Sequence, residues 1–339
     1  MADRAIPLSA AQTRSFRRAL IGWYDQHRRQ LPWRRDRDPY RVWVSEIMLQ
    51  QTRVAAVLDH YARFMQRFPS VQTLAAARES SVLAAWSGLG YYHRARRMHE
   101  AAKLIARERR GVFPASAAEW LTLPGIGRYT AAAIASIAFE EAAAVVDGNV
   151  ERVLQRLLGA ASGREVTWHR AEELLDRRRP GDFNQAMMEL GATICTPRAP
   201  QCLICPVNSF CRTQGVEAAP PQPPRKSKNV CFGLVRRGDS VMLTQRRDDA
   251  SLMAGMWELP SLAAGAVNGD APLLRVRHSI TDTDYRVSVY AIPKIVEIAR
   301  GARWFTAKQW ERLALTGLAR KILRKVATES NNDARESNT

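Results

Sequence analysis

Four cysteines lie close together in the second half of the chain and are the residues best suited to hold a metal. Cys195, Cys202, Cys205 and Cys211 follow the spacing C-x6-C-x2-C-x5-C, and Cys231 stands apart. The amino terminus lacks the apolar core of a secretory signal, so we expect a reducing compartment, where clustered thiols bind metal rather than form disulfides. Spacing of this general kind fits either a zinc ion or an iron–sulfur cluster. We interpret Cys231 as an ordinary buried thiol in a strand.

A glycine-rich segment in the first half has the pattern of a phosphate contact. Leu123-Pro-Gly-Ile-Gly127 separates an apolar stretch from an alanine-rich stretch of helical character. Gly125 and Gly127 would let a DNA backbone approach the N–H groups at a helix start, where the helix dipole favours a phosphate. A tight turn between two helices is the alternative. Tyr129 lies two residues after Gly127. A tyrosine lacks the nucleophilic amine that a lysine would supply at this position.

The elements that must position these residues are helical in the first part of the chain, residues 1–215. Asp38 and Pro39 suit the cap and first turn of a helix, and apolar residues follow them at helical spacing. A small-residue helix is expected over 131–139, and Gly159 is expected to end another helix.

The amino-acid composition of the chain changes at residue 216. Residues 216–230 carry four prolines and three basic residues, which predicts a stiff, solvated linker. Short strand patterns separated by turns follow, and two helices close an α+β domain at 231–328. The polar residues 329–339 are expected to form a disordered tail.

The charge of the chain favours an anionic partner. It has 51 Lys and Arg against 33 Asp and Glu, a formal net charge of +18, which points first to nucleic acid, with charge for solubility as the alternative. No run of about 18 apolar residues occurs, so we expect no membrane span. The expected location is the cytoplasm, in association with the nucleoid.

Six separated segments within residues 15–215 resemble the helix-hairpin-helix DNA glycosylases, and among them the MutY-type adenine DNA glycosylases. The resemblance implies a mainly α N-terminal region, a six-helix barrel with the helix-hairpin-helix and a helical iron–sulfur domain, joined to an α+β Nudix-like C-terminal domain. The segments are Leu31-Pro-Trp-Arg34, Trp43-Val-Ser-Glu-Ile-Met-Leu-Gln-Gln-Thr52, Gly88-Leu-Gly-Tyr-Tyr92, Leu123-Pro-Gly-Ile-Gly127, Val146-Asp-Gly-Asn-Val150 and the cysteine loop.

This resemblance implies a base-excision-repair enzyme that flips out and hydrolyses adenine mispaired with 8-oxoguanine or guanine. A pair of carboxyl groups suits cleavage of the glycosidic bond. Glu46 would be the general acid and base, and Asp147 would stabilise the oxocarbenium ion or form a transient covalent adduct. Asn149 would orient the pair. A solvated glutamate and a helix N-cap are the alternatives for the two carboxylates.

The matching position of bifunctional relatives carries a lysine that forms a Schiff base with the sugar. Tyr129 stands there in this chain, so we predict a monofunctional enzyme that leaves an abasic site.

The resemblance also assigns binding residues and a cofactor. The adenine pocket is assigned to Trp33, Arg34, Leu49 and Glu189, with Glu189 reading the adenine edge and core packing as the alternative for Trp33. Contacts to DNA and 8-oxoguanine are assigned to Gln51, Tyr91, Gly125, Gly127, Ile280 and Thr281. The four clustered cysteines would hold one structural [4Fe–4S] cluster, which their thiolates saturate. The expected partner is double-stranded DNA with an A:8-oxoguanine or A:G mispair, bound by a monomer.

Residues 231–328 resemble the Nudix-like domain of this family, but they lack the glutamate-rich box that a catalytic Nudix domain needs for magnesium. Damage reading is therefore the expected role. The loop that carries Phe-Ser-His in the family reads Ser279-Ile-Thr-Asp282 here. Asp282 adds an anion at the histidine position, which puts the strength of 8-oxoguanine discrimination in doubt. A plain surface turn is the alternative for this loop.

Two other functions compete with the favoured one. A bifunctional glycosylase and lyase for oxidised pyrimidines is disfavoured by Tyr129 and by the long second domain. A non-catalytic DNA-binding or redox-sensing iron–sulfur protein is disfavoured because Glu46, Asp147, Tyr129 and Asn149 occur together.

Overall fold

Helices fill the first two thirds of this computed structural model, and strands appear only after residue 225 in the part of the chain it describes. It describes residues 8–159, 163–215, 225–247, 249–250, 253–263, 271–280, 282–292 and 301–336, with the backbone alone for 328–336. The helices are α1 (Ala10–His27), α2 (Pro39–Leu49), α3 (Val54–Arg67), α4 (Val71–Ala76), α5 (Glu79–Trp86), α6 (His93–Glu108), α7 (Ala117–Trp120), α8 (Arg128–Phe139), α9 (Gly148–Leu158), α10 (Arg164–Leu174), α11 (Pro180–Thr193), α12 (Ala307–Trp310) and α13 (Gly317–Glu336). The strands are β1 (Lys226–Leu234), β2 (Arg236–Arg237), β3 (Ser240–Gln245), β4 (Trp257–Glu258), β5 (Ser261–Leu262), β6 (Leu274–Ile280), β7 (Thr283–Ala291) and β8 (Ala302–Thr306).

Capping residues fix where the site-bearing helices begin and end. Asp38 accepts a hydrogen bond from the backbone N–H of Arg41, and Pro39 occupies the first turn of α2, as predicted. Gly159, at φ 72°, ends α9 in the left-handed conformation, also as predicted. These caps set where α2 begins and where α9 ends, and both helices line the candidate site.

Four helices supply the walls of the candidate site. α2 packs on α8, and α11 packs on both α8 and α9. The approach of α11 to α8 is close because of Gly181, where a β-carbon would lie 2.5 Å from the carbonyl oxygen of Ser136. The alanine-rich sequence of α8 permits the same closeness from the other side.

Two sheets of four strands make up the strand-containing region. In the first, the order is β5-β1-β7-β6, with β1 and β7 parallel and the other pairs antiparallel. In the second, β3 pairs with β2, β4 and β8, all antiparallel. Apolar residues of both sheets pack with α13 in one core. The helical region followed by this α+β region confirms the predicted fold class.

The chain folds as two compact units, and each consists of two separate stretches. The first unit contains 1–76 and 97–221, and the second contains 77–96 and 222–339. The predicted domains placed 77–96 in the N-terminal region, so the structure differs from that division. Hydrogen bonds from Ser87 and Tyr92 to the carbonyl oxygen of Leu315 account for the difference.

Two further expectations about element bounds need correction. The linker predicted over 216–230 ends earlier, because β1 starts at Lys226, where it pairs with Thr283 of β7; residues 216–224 lie outside the described part. The tail predicted as disordered over 329–339 is helical as far as Glu336. No proline or glycine follows Gly317, so nothing in the sequence interrupts α13 once it has formed.

No helix in the described segments combines the length and apolar character needed to cross a membrane.

Candidate active site

A cavity of about 720 Å³ opens in the first unit, among α2, α8, α9 and α11. The sequence-predicted residues that line it are Trp33, Arg34, Glu46, Leu49, Gln51, Gly127, Tyr129, Asp147, Asn149 and Glu189. Six different local elements contribute these residues, so the fold brings together positions up to about half the chain apart.

Glu46 is a buried carboxyl group in a mainly apolar helix. It lies on α2, and only 6% of the residue is exposed. Burial raises the pKa of Glu46 to about 7, and the negative charge of Asp147 adds to the increase. A hydrogen bond from Tyr129 and the positive charge of Arg34 act in the opposite direction. The carboxyl group can therefore hold or release a proton near neutral pH, and it is not the solvated glutamate of the alternative interpretation.

Asp147 both caps a helix and lines the cavity. Its Oδ1 accepts hydrogen bonds from the backbone N–H groups of Asn149 (2.9 Å) and Val150 (2.8 Å) at the start of α9. Its Oδ2 accepts a hydrogen bond from the Asn149 side-chain amide at 3.0 Å. Donors to both oxygens hold the side chain in place at the start of α9. Asp147 is thus a helix N-cap that also lines the cavity.

Tyr129 lies between Glu46 and α11. Its hydroxyl group is 2.9 Å from Glu46 Oε2 and 3.1 Å from the sulfur of Met188. Burial raises the pKa of Tyr129 well above its ordinary value, and the charges of Glu46 and Asp147 add to this. The phenol is therefore a neutral hydrogen-bond donor to Glu46.

Asn149 is held by an arginine that the sequence did not single out. Arg152 Nη2 donates to Asn149 Oδ1 at 2.9 Å and to the carbonyl oxygen of Gly191 at 2.7 Å. Its Nε donates to the carbonyl oxygen of Cys195 at 2.9 Å. α9 and α11 approach so closely here that a β-carbon on Gly191 would lie 2.7 Å from Asn149 Cβ. The signal available in the sequence was the position of Arg152 one turn after Asn149.

Glu189 does not offer a free edge for reading a base. Its Oε1 accepts a hydrogen bond from Arg29 at 2.6 Å, and its Oε2 accepts from Arg29 at 2.8 Å and from Arg34 at 2.9 Å. Burial alone would raise the pKa of Glu189, but these two arginines outweigh it and lower the pKa to about 2. Glu189 therefore orients Arg34 in the cavity wall, and Arg29 is a residue that sequence reasoning missed.

Trp33 is a packed side chain that also forms part of the cavity wall. It is 6% exposed and packs edge-to-face on Tyr61 with ring centroids 5.2 Å apart, yet it also lines the cavity.

The two hairpin glycines differ in what they require of the backbone. Gly125 has φ +76°, and a β-carbon there would lie 2.6 Å from Arg97 Cβ. Gly127 is the N-cap of α8 at φ −101°, and its β-carbon would meet nothing within 4 Å. Gly125 is thus required by the turn, whereas Gly127 keeps the surface open beside the first N–H groups of α8.

The remaining predicted DNA contacts fall in different places. Gln51 lines the cavity and has φ 55°. Tyr91 (φ 48°) and Ile280, the last residue of β6, belong to the second unit. Thr281 lies outside the described residues. Next to it, Asp282 pairs with Lys226 at 3.1 Å.

The four cysteines of 195–211 line one small pocket together with Arg156. Arg156 Nη1 donates to Cys195 Sγ at 3.4 Å, and burial raises the pKa of Cys205 to about 11. Sulfurs bound to one zinc ion at about 2.3 Å would lie roughly 3.8 Å from each other. No three or more His, Cys, Asp or Glu side chains of the described residues gather closely enough for a single ion. Four thiols around one pocket instead fit a larger cluster that takes one thiolate at each corner.

Comparison with protein families gives three matches along the chain. Residues 44–177 match the HhH-GPD superfamily base excision DNA repair protein. Residues 195–211 match the iron–sulfur binding domain of endonuclease III, and residues 231–325 match the NUDIX domain. The match to the iron–sulfur binding domain begins at Cys195 and ends at Cys211, the first and last of the four clustered cysteines. It confirms the predicted iron–sulfur cofactor.

Solved structures with the same fold cover the N-terminal part. A thermostable thymine-DNA glycosylase is 30% identical with a TM-score of 0.56, covering 60% of this chain and 97% of that one. An endonuclease III–DNA complex, at 22% identity and a TM-score of 0.54, covers 61% of this chain and 97% of its own and shows the fold alone.

Relatives of known activity cover nearly the whole chain. The adenine DNA glycosylase of Homo sapiens is 36% identical over 93% of this chain and 74% of its own length. That of Arabidopsis thaliana is 41% identical over 75% of this chain and 48% of its own. The resemblance seen in six segments is thereby confirmed, and this chain belongs to the adenine DNA glycosylase family.

Proposed function

We propose that this protein is a monofunctional adenine DNA glycosylase that removes adenine mispaired with 8-oxoguanine or guanine. The observation that carries the proposal is the Glu46 carboxyl group, buried in the cavity and hydrogen-bonded to Tyr129, with a pKa raised to about 7. A general acid works best when its pKa is near the working pH. The adjacent Asp147, held by backbone N–H groups at a helix N-terminus, completes a pair of carboxyl groups in the cavity.

The first step is protonation of the leaving base. Neutral Glu46 donates its proton to a ring nitrogen of the flipped adenine, and the bond from C1′ to the base breaks with both electrons going to the adenine. The Tyr129 hydroxyl keeps donating to Glu46, which stabilises the carboxylate that this step leaves behind.

The second step is capture of the sugar cation. Asp147 stabilises the positive charge that develops at C1′ and the ring oxygen, or bonds to C1′ transiently. Glu46, now ionised, takes a proton from water as the water oxygen bonds to C1′. Where Asp147 has bonded to C1′, that bond breaks in the same step and its electron pair returns to the Asp147 carboxylate. The products are free adenine and an abasic sugar in an intact strand.

The strand stays intact because the site offers no amine where bifunctional relatives carry their lysine. Tyr129 occupies that place, and a phenol cannot form an imine with the opened sugar. The arginines that line the cavity are Arg29, Arg34 and Arg53, and their guanidinium groups cannot replace that amine. Arg29 and Arg34 are in addition bound to Glu189.

DNA binding in this proposal starts with contacts that do not read sequence. The N–H groups at the start of α8, left open by Gly127, bind a phosphate, and the net charge of +18 supports the duplex more generally. In this proposal the protein acts as a monomer.

The C-terminal domain reads the damaged partner base and does not hydrolyse nucleotides. The residues that follow Pro260 include no carboxylates of a magnesium-binding box before Asp270. Ile280 and Thr281 would contact 8-oxoguanine, while Ser279 is occupied by a hydrogen bond to Asp284 at 2.6 Å. The iron–sulfur cluster is structural, because four cysteines leave it no open coordination site.

Single-turnover assays on duplexes with A opposite 8-oxoguanine, G, C or T test the proposal. We expect adenine release with 8-oxoguanine fastest and G next, and strand breakage only after alkali treatment. Breakage without alkali, or a borohydride-trapped protein–DNA adduct, would refute the monofunctional assignment. Failure to release adenine from every duplex would refute the enzymatic one.

A further inference from the structure

The loop between α5 and α6 has a backbone that cannot hold its shape unaided. Gly88 (φ 111°), Gly90 (φ 70°) and Tyr91 (φ 48°) all have positive φ. For a tyrosine this conformation is strained, so surrounding groups must fix it. The loop carries the aromatic side chain that is expected to enter DNA.

One set of contacts to this loop comes from its own flanking helices. The guanidinium group of Arg94 donates to the carbonyl oxygens of Leu89 (3.3 Å), Gly90 (3.2 Å) and Tyr91 (3.4 Å). The indole N–H of Trp86 donates to the Gly90 carbonyl oxygen at 3.1 Å. These bonds shape the tip of the loop but do not fix it to the rest of the unit.

A second set fixes the base of the loop to the C-terminal part of the chain. The carbonyl oxygen of Leu315 accepts hydrogen bonds from Ser87 Oγ at 2.9 Å and from the Tyr92 hydroxyl at 3.1 Å. Arg320 Nε donates to Ser87 Oγ at 2.9 Å, and its Nη2 donates to the carbonyl oxygen of Leu313 at 3.1 Å. Ser87 and Tyr92 flank the loop on its two sides.

The side chains that form this anchor are buried. Ser87 is 7% exposed and Tyr92 is 4% exposed. The two hydroxyl protons occupy both lone pairs of one carbonyl oxygen, so removal of either leaves a buried group without its full set of partners. Leu315 itself is fixed, because its neighbours Ala314 and Thr316 exchange backbone hydrogen bonds with Trp257 of β4.

We propose that the segment 315–320 of the Nudix-like domain positions the Tyr91 loop for DNA binding, with Ser87, Tyr92 and Arg320 as positioning residues. The inference rests on the proposed function in one respect, that Tyr91 contacts the duplex. It adds a second task to the C-terminal domain, which thereby controls a DNA contact encoded far away in the N-terminal sequence.

A double-mutant cycle on DNA affinity tests this. The full-length holoprotein is titrated by fluorescence anisotropy with a duplex carrying 2′-fluoroadenosine opposite 8-oxoguanine, whose electron-withdrawing fluorine opposes formation of the sugar cation. The variants are Ser87→Ala, Tyr91→Ala and the double variant, with Ser80→Ala, an exposed serine of α5, as matched control. Thermal unfolding of each variant is measured alongside.

We expect Ser87→Ala to weaken binding roughly three- to tenfold, as for loss of one buried hydrogen bond, and to have less than a twofold effect when Tyr91 is already alanine. Equal losses in both backgrounds, unchanged affinity of a folded Ser87→Ala protein, or unchanged affinity of Tyr91→Ala would each overturn the inference. If Ser87→Ala does not fold, the same cycle with Tyr92→Phe decides. Because the duplex is not cleaved, the cycle gives its answer even if adenine release, the proposed function, fails.

Discussion

At the scale of single residues, the candidate site contains one carboxyl group, Glu46, whose ionised form is less stable in the folded protein than in water. The pKa of Glu46 rises from 4.5 to about 7 on folding, chiefly through burial. A group whose pKa is raised in the folded state stabilises the fold below its unfolded pKa, and that contribution is lost as the pH rises through the folded pKa. The raised pKa that the proposed mechanism uses therefore lowers the stability of the fold at alkaline pH.

Replacing Glu46 by Gln should abolish chemistry and strengthen the fold at alkaline pH. Loss of the general acid should slow single-turnover adenine release by about 10²–10⁴-fold. At pH 8 the free energy of unfolding should increase by about 1–3 kcal/mol, because glutamine never has to be buried as an anion. Denaturant unfolding at pH 8 and pH 4 measures this, and the gain should vanish at pH 4.

The control for this substitution is Glu108→Gln, which changes an exposed glutamate of α6. A wild-type rate for Glu46→Gln would remove its catalytic role, and a loss of stability at pH 8 would show that the carboxyl group is not strained by burial.

Tyr129→Phe should move the alkaline limb of the pH–rate profile upward. The hydroxyl group stabilises ionised Glu46, so without it the pKa of Glu46 rises further and the acid form persists to higher pH. The maximal rate should fall roughly threefold to tenfold, since the bond to the newly formed carboxylate is lost. Single-turnover rates between pH 5 and 9 test this. Tyr61→Phe is the matched control, because the Tyr61 hydroxyl is buried and has no hydrogen-bond partner among the described residues. A limb that moves downward would contradict the assigned hydrogen bond.

The sequence pointed to residues that line the cavity more readily than to the residues that hold them in place. Glu46, Tyr129 and Asp147 were found because motifs carry them. Arg29 was missed, since its partner Glu189 is 160 positions away and no local pattern reports the pair. The same ignorance of partners led to a base-reading role for Glu189, whose oxygens the structure shows to be occupied.

At the scale of elements, the two glycines of the hairpin before α8 have different tasks: Gly125 allows the turn of the backbone, and Gly127 leaves room for a phosphate. Gly125→Ala should destabilise the protein by about 1–3 kcal/mol, because its left-handed φ and the contact with Arg97 both oppose a β-carbon. Gly127→Ala should leave the unfolding free energy within about 0.5 kcal/mol of wild type, since its β-carbon meets nothing.

Affinity for DNA distinguishes the two substitutions further. Gly127→Ala should weaken binding of matched and mispaired duplexes by the same factor, because a phosphate contact carries no sequence information. Titration of both duplexes with each variant measures this. Selective loss for the mispaired duplex would contradict the phosphate-contact assignment.

Element positions were predictable where local chemistry sets them. The Asp38-Pro39 start and the Gly159 end follow from capping preferences, and the structure has both. The start of β1 was not predictable, because Lys226–Asn229 form a strand only through pairing with β7, more than fifty residues later. The helical residues 329–336 extend an amphipathic helix whose stability comes from tertiary contacts of its earlier turns.

At the scale of the whole molecule, the division of the chain into two units is the feature that local patterns reported least. The change in composition at residue 216 marks the end of the first unit closely. The amino-acid composition of residues 77–96 does not distinguish this segment from the helices on either side of it. Its membership of the second unit depends on contacts such as that of Ser87 with Leu315.

A chain that ends at residue 221 should lose order in the loop at 87–92. The truncation removes Leu315 and Arg320, which anchor the base of the loop. Hydrogen exchange followed by mass spectrometry should show at least tenfold faster exchange in a peptide covering this loop, with α8 as the internal reference. Unchanged protection of the loop beside a well-protected α8 would contradict the anchoring role.

The interleaving of the two units bears on how variants of this enzyme are recombined. A chimera that joins the first 215 residues of one relative to the C-terminal domain of another has its junction where the composition of the sequence changes. It would nevertheless combine a foreign loop with a foreign anchor, because residues 77–96 fold with the C-terminal segment. Exchanging these twenty residues together with the second domain preserves the anchor, and crossover points at 76 and 97 are the ones the fold itself provides.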